Sequence, residues 1–136
     1  NDEAHIFVGI EISRGDSEKQ ALIEKLRKSF EVLDMSDNSM AKTHIRYMVG
    51  GHANAENEVI YRFEFPERPG ALLNFLRKVK TKWNISLFHY RNHGADFGRV
   101  LIGLQADNVE ELESRFDELG YYYKNETDNK AYQYFL

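Results

Sequence analysis

Residues 58–76, EVIYRFEFPERPGALLNFL, contain the local pattern that decides the fold. Aromatic and aliphatic side chains recur at every second position from Val59 to Phe65, the period of a strand with one buried face. Pro66 ends that strand, because proline cannot donate to a sheet ladder. Apolar residues then recur at helical spacing from Leu72 to Trp83. The stretch therefore predicts a strand followed by a helix.

The sequence that follows completes a recognisable order of elements. Residues 85–91 and 99–106 alternate as strands, and a turn separates them. Residues 108–119 have a helical apolar stripe that stops at Gly120, and residues 121–124 form a last strand. The order is β-α-β-β-α-β, which predicts an α+β, ferredoxin-like fold with two helices on one face of an antiparallel sheet.

The first 51 residues repeat part of this pattern. FVGIEIS at 7–13 is similar to LIGLQAD at 101–107, and MSDNSMAK at 35–42 is similar to ETDNKAYQ at 126–133. Strands are predicted at 6–12, 32–35 and 44–49, with a helix after the first strand and a helical turn at 36–42. We therefore predict a half copy (βαβ plus an extra strand) at 1–51, a linker at 52–57 and a complete unit at 58–136. The other half of the first unit is expected to precede this chain.

Asp37-Asn38 and Asp128-Asn129 fall at the same point of the two repeats. Short polar side chains of this kind cap helix N-termini by accepting backbone N–H groups. Each pair is therefore predicted to cap the helical turn that follows it.

Composition excludes several classes of function. The chain has 136 residues, with 18 Lys and Arg against 22 Asp and Glu, for a net charge of -4. This balance gives no general attraction for nucleic acid or anionic lipid. The lack of cysteine removes disulfides, thiolate nucleophiles and cysteine zinc sites, and it agrees with a reducing, cytoplasmic location. No apolar run approaches the length of a membrane span.

The best candidate site is the loop 67–72, ERPGAL, where a strand gives way to a helix. Backbone N–H groups at a helix start lack partners and favour an anion, and Gly70 permits close approach. We expect a carboxylate at the Gly70 and Ala71 amides, with Leu72, Leu76 and the next strand forming the walls. The alternative is an ordinary strand-to-helix turn in which Pro69 is an early helix residue.

Two other patterns have weaker functional interpretations. His89 and His93 have the spacing of metal ligands on a helix, but on a strand they lie about 13 Å apart, so no metal site is expected. Residues 96–101 loosely resemble the third strand of RNA-recognition motifs. Arg99 replaces the second stacking aromatic, which argues against RNA binding. The sequence contains no recognisable catalytic motif.

Three strings, HIRYMVGG at 44–51, YRFEFPERPGALLNFL at 61–76 and WNISLFHYRNHGADFGRVL at 83–101, identify a resemblance. Together with HIFVGIEIS at 5–13 and the last 19 residues, they resemble the C-terminal regulatory region of biosynthetic threonine dehydratase, or threonine ammonia-lyase. The resemblance implies ACT-like subdomains that bind isoleucine as inhibitor and valine as its antagonist. It also implies a pyridoxal-phosphate catalytic domain that these residues do not include, so we expect no cofactor and no lyase activity here.

The resemblance also implies partners and site residues. The parent enzyme is typically a tetramer, so its own catalytic domain and further copies of the chain are expected partners. The effector region maps to Pro69, Gly70, Ala71, Leu72, Leu73, Asn84, Ile85, Ser86 and Tyr90. Leu76 is added to this set because the backbone chemistry of the loop placed it in the wall. The alternatives are an ACT module of another enzyme, which would bind a different amino acid, and a pure oligomerisation domain without a ligand.

Overall fold

A computed structural model describes residues 4–45, 54–80, 82–92, 94 and 96–136. Within these residues, the elements in chain order are α1 (Asp16–Arg27), α2 (Ser39–Thr43), β1 (Glu58–Pro66), α3 (Ala71–Lys80), β2 (Asn84–Arg91), β3 (Phe97–Gln105), α4 (Val109–Leu119), β4 (Tyr122–Asn125) and α5 (Lys130–Phe135).

The four strands form one antiparallel sheet in the order β2-β3-β1-β4. Phe63 at the centre of β1 lies opposite Val100 of β3 on one side and Tyr123 of β4 on the other. From β1 to β4 the chain follows the predicted β-α-β-β-α-β order. The α+β, ferredoxin-like fold class is therefore confirmed.

The first face of the sheet is covered by α3 and α4. Phe63 projects from β1 between these helices, with its ring centroid 4.7 Å from that of Phe75 in α3 and 4.7 Å from that of Phe116 in α4. All three rings are fully buried. Edge-to-face packing of this kind adds to the stabilisation that apolar burial provides.

The second face is covered by the short helices α2 and α5. Ile60 of β1 and Leu101 of β3 pack in one buried cluster with Met40 and Ala41 of α2 and Ala131 of α5. Phe7 packs against this cluster, and its ring lies 5.7 Å from that of Phe135. The N-terminal part of the chain therefore packs directly on the sheet of residues 58–136.

Asn38 and Asn129 cap α2 and α5 and also bind each other. Asn38 accepts from the backbone N–H of Ala41, and Asn129 accepts from that of Ala131. Asn38 Nδ2 lies 2.7 Å from Asn129 Oδ1, and Asn129 Nδ2 lies 3.3 Å from Asn38 Oδ1. The predicted caps are therefore confirmed, and the repeated asparagines join the two helices that they cap.

We expect this reciprocal pair to be cooperative. Asn38→Ala and Asn129→Ala should each lower the free energy of unfolding by about 1–2 kcal/mol, since each removes a cap and a shared amide contact. The double variant should cost about 1 kcal/mol less than the two single losses added together. Asn108 caps α4 through Glu111 N–H, so Asn108→Ala paired with either variant should be additive. Additive losses for Asn38→Ala and Asn129→Ala would contradict the coupling, and urea titrations measure all of these values.

The structure corrects two of the strands that were predicted for the half copy. Residues 5–12 and 32–35 contain no strand, and Ile6, Val8 and Ile10 are exposed. A strand needs a hydrogen-bonded neighbour, and in the described residues the sheet consists of β1 to β4 alone. The predicted strand at 44–49 lies largely outside the described residues, as do positions 52 and 53 of the predicted linker.

Candidate functional site

The turn between β1 and α3 builds the candidate site. Gly70 has a φ of +83°, a conformation that side-chain-bearing residues rarely adopt. Its carbonyl accepts the N–H of Asn74 at 2.8 Å, which starts the helix. The backbone at Gly70 thereby directs the first turn of α3 toward the end of the sheet.

A groove of about 440 Å³ lies beside this turn. Its walls are Phe65, Glu67, Arg68, Gly70, Leu72, Leu73 and Leu76. Leu72 and Leu76 lie one helical turn apart on α3, so the apolar wall extends along the helix from the polar loop. Four of the predicted site residues therefore line one groove: Gly70, Leu72, Leu73 and Leu76.

The start of α3 offers donors to this groove. Ala71 N–H, an expected carboxylate donor, instead donates to the Arg68 carbonyl at 3.1 Å. Within the described part of the chain, the N–H groups of Leu72 and Leu73 have no acceptor. Such groups, with the helix dipole behind them, attract negative charge. Of the two expected donors, only Ala71 N–H is thus occupied, since Gly70 N–H also has no acceptor among the described residues.

The side chain of Glu67 lines the groove and is hydrogen-bonded. Its Oε1 accepts the hydroxyl of Tyr90, and its backbone N–H donates to the Asp96 carbonyl at 2.8 Å. A Cβ at Gly98 would collide with Glu67 Oε1, so the carboxylate occupies space that glycine leaves open. The hydrogen bond to Glu67 raises the pKa of Tyr90. Tyr90, a predicted site residue, therefore reaches the site through Glu67.

Asn84, Ile85 and Ser86 do not join this groove. Asn84 opens β2 opposite Gln105, whereas the loop follows Pro66 at the other end of the sheet, on the order of 25 Å away. Ile85 packs in the first-face core. Ser86 Oγ is buried and has no hydrogen-bond partner among the described residues, and it lies 2.7 Å from the position of a Cβ at Gly103. The separation arises because α3 carries the chain back along the sheet before β2 begins.

The remaining predicted residues lie on the loop itself. Pro69 is exposed, and Ala71 is buried against the first-face core. Glu67, Arg68 and Phe65 line the groove without having been assigned a role from the sequence. The available signal was two adjacent opposite charges immediately before Pro69 and Gly70 in a strand-to-helix turn.

The histidines considered as metal ligands have other surroundings. His89 Nδ1 lies 2.6 Å from Nδ1 of the buried His44, and His93 is outside the described residues. Across the described positions, no group of three His, Asp or Glu side chains is arranged to hold a metal ion. None of the helices described has the length and apolar character needed to span a membrane.

Comparison with known proteins adds independent information. Residues 49–136 match the family model of the C-terminal regulatory domain of threonine dehydratase. The chain is 50% identical to the biosynthetic L-threonine dehydratase IlvA of Escherichia coli and 46% identical to the mitochondrial threonine dehydratase of Saccharomyces cerevisiae, covering 98% of this chain in both cases. It is 44% identical over 85% of its length to a chloroplastic biosynthetic threonine dehydratase of Solanum lycopersicum.

The chain spans only part of these relatives. It covers 26% of the Escherichia coli protein, 24% of the yeast protein and 20% of the tomato protein. The family match includes all four strands and the whole of the loop that forms the groove. On this evidence the chain belongs to the family of C-terminal regulatory domains of threonine dehydratase.

Proposed function

We propose that this regulatory domain binds isoleucine, as inhibitor, and valine, as its antagonist, in the groove between the β1–α3 loop and α3. The observation that carries the proposal is the combination of the Leu72 and Leu73 N–H groups, which no described residue accepts, with an apolar wall one helical turn long. The N–H groups can donate to a carboxylate, and the apolar wall can pack against a branched aliphatic side chain.

The ligand carboxylate would accept from the helix amides, with Arg68 as a further donor. Arg68 lines the groove, and among the described residues its guanidinium has no ion pair. The side chain of the ligand would lie against Leu72, Leu73 and Leu76. The side chains that line the groove beyond the loop are those of Phe65 and the three leucines, so a threonine hydroxyl buried there would lose its hydrogen bonds to water.

Regulation then follows from linkage. An effector shifts an enzyme between active and inhibited states only by its difference in affinity for the two. Isoleucine must therefore bind the inhibited arrangement more tightly. Isoleucine and valine differ by one methylene, worth about 1–3 kcal/mol in a pocket, so their opposite effects need different occupancy or different subdomains rather than absolute discrimination.

The proposal extends to the assembly. Residues 1–51 would be the second half of one ACT-like subdomain and residues 58–136 the whole of another, joined by a linker at 52–57. The partners would be the catalytic domain of the parent threonine dehydratase and further copies of the chain. Pyridoxal phosphate would be bound in that catalytic domain, where it supplies the electron sink for elimination from threonine.

Isothermal titration of the chain with isoleucine, valine and threonine tests the ligand. We expect isoleucine to bind more tightly than valine by several-fold and threonine to give no heat. Leu73→Ala should weaken isoleucine about fivefold, since it removes apolar surface from the groove wall. Leu73 is 51% exposed, so the substitution should leave the fold intact.

Leu33 provides a matched control for this variant. It is a leucine of similar exposure, 49%, that does not line the groove. Leu33→Ala should bind isoleucine as the unmodified chain does. Equal affinities in the Leu73→Ala and Leu33→Ala proteins would reject this groove as the effector site. A folded chain that forms dimers and binds none of the three amino acids would favour an oligomerisation module.

A further inference from the structure

The geometry points to Glu67 as the group that binds the α-ammonium of the effector, which makes the groove selective for amino acids over other branched carboxylic acids. This inference rests on the proposed function. It assigns a residue to the ammonium group of the ligand, which the helix amides do not bind. It concerns a side chain in the loop just before α3.

The arrangement of charge around the groove supports this assignment. Glu67 lines the same groove as Leu72 and Leu73, whose free N–H groups attract the carboxylate. The carboxylate and ammonium of an amino acid share one carbon, so their two partners must lie at the same end of a site. The loop satisfies this condition, because it brings Glu67 and the start of α3 together at one end of the apolar wall.

The hydrogen bonding of Glu67 leaves room for a ligand donor. Tyr90 occupies Oε1 of this carboxylate. Oε2 accepts no hydrogen bond from any residue that the structure describes. A carboxylate has about four acceptor sites, so the oriented group retains capacity for a charged N–H donor.

The position of Glu67 is restrained by its contacts. The Glu67 N–H is tied to the Asp96 carbonyl, the hydroxyl of Tyr90 holds the side chain, and Gly98 leaves the space that the carboxylate fills. Most exposed glutamates are free to rotate and lose side-chain entropy when they bind a ligand. An anchored carboxylate has already lost that freedom, which favours its use in recognition.

Titration of the 136-residue chain with isoleucine and with 3-methylpentanoate, its deaminated analogue, tests this assignment. We expect the unmodified protein to bind 3-methylpentanoate at least about tenfold more weakly than isoleucine, because the charge-assisted bond to Glu67 is missing. Glu67→Gln should weaken isoleucine about tenfold and leave 3-methylpentanoate unchanged or slightly tighter. The preference for the amino acid should therefore collapse in this variant alone.

Glu110→Gln is the matched control, since Glu110 is an exposed carboxylate on α4 that does not line the groove. It changes net charge by the same amount and should keep the preference for isoleucine. Unaltered isoleucine affinity in Glu67→Gln would overturn the role of Glu67 and leave the proposed function standing. Equal weakening of both ligands in Glu67→Gln would also overturn it, because Glu67 would then only shape the loop. An unmodified protein that binds neither ligand would reject the proposed function itself, and this inference with it.

Discussion

Replacing Glu126 by alanine is expected to lower the free energy of unfolding by about 3 kcal/mol, because it leaves a buried guanidinium without its main partner. Glu126 Oε1 accepts from Arg62 Nε at 3.1 Å, and both side chains lie beneath the second face of the sheet. Glu126 Oε2 also accepts from the capping residue Asn129 at 2.7 Å. In Glu126→Ala, Arg62 would retain Glu64 at 3.8 Å as its acidic neighbour.

Glu118 supplies the control for this prediction. It also accepts from an arginine, Arg115, at 2.9 Å, but its side chain is 51% exposed, whereas that of Glu126 is 3% exposed. Exposed ion pairs contribute about 0–1 kcal/mol, so Glu118→Ala should change stability little. Urea denaturation of both variants gives the comparison. Equal losses would show that burial does not determine the strength of the Arg62–Glu126 contact.

A double variant separates the effect of the ion pair's charges from the effect of the volume that its two side chains fill. Arg62→Met with Glu126→Leu removes both charges and keeps apolar volume on the second face. Replacing a whole buried ion pair in this way is often neutral, whereas removing one partner is costly. The double variant should therefore recover most of the stability that Glu126→Ala loses.

The central elements were predictable because their information is local. Alternation through Val59 to Phe65 determines which side chains of β1 face α3 and α4, since a slip of one residue would expose them all. Asn38 and Asn129 were predictable as caps for a similar reason, because capping needs only the residue and the three that follow it. Their contact with each other depends on how two distant helices pack, and the sequence repeat was its only signal.

The strand predicted at 6–12 was wrong because strand formation depends on pairing with a second strand. Ile6, Val8 and Ile10 alternate as clearly as the residues of β1. Alternation shows that a segment suits a sheet, but the hydrogen-bonded neighbour must come from elsewhere in the chain. In the described residues no strand lies beside this segment, and Ile6, Val8 and Ile10 are exposed.

The candidate site likewise has a part that local sequence predicts and a part that depends on distant residues. Backbone chemistry at the loop before α3 predicted a groove containing Gly70, Leu72 and Leu76, since unpaired N–H groups at a helix start are a local property. The same argument also placed the start of the next strand, Asn84 to Ser86, in the wall of the groove, and the resemblance includes these residues too. Their grouping with the loop stays a prediction. Within one chain the two lie at opposite ends of the sheet, so both can contact one ligand only where another unit contributes one of them.

Acidification should destabilise the fold through His44. Burial lowers the pKa of His44 to about 3, and the positive charges of His89, Arg62, Arg91 and Arg99 act in the same direction. His44 Nδ1 lies 2.6 Å from His89 Nδ1, so one ring must donate and the other accept. Protonation of both rings would set two donors against each other on the second face of the sheet.

The sign of the effect follows from proton binding. An unfolded histidine takes up a proton below about pH 6.5, whereas folded His44 stays neutral down to about pH 3. Between these values the unfolded chain holds more protons, so stability falls as pH falls, by about 1.4 kcal/mol per pH unit. From pH 6.5 to 4.5 we expect a loss of about 2–3 kcal/mol from this residue. The lowered pKa of His89 adds a loss of the same sign.

His44→Phe tests this linkage because it removes the titrating group and keeps a ring in the buried position. Urea denaturation at pH 6.5, 5.5 and 4.5 should give a shallower dependence of stability on pH in the variant, whatever its stability at neutral pH. Met40→Leu alters the same second-face packing without a titratable group, because Met40 is fully buried there. It should shift stability by a similar amount at each pH. Parallel pH profiles for His44→Phe and the unmodified protein would show that His44 does not carry the acid sensitivity.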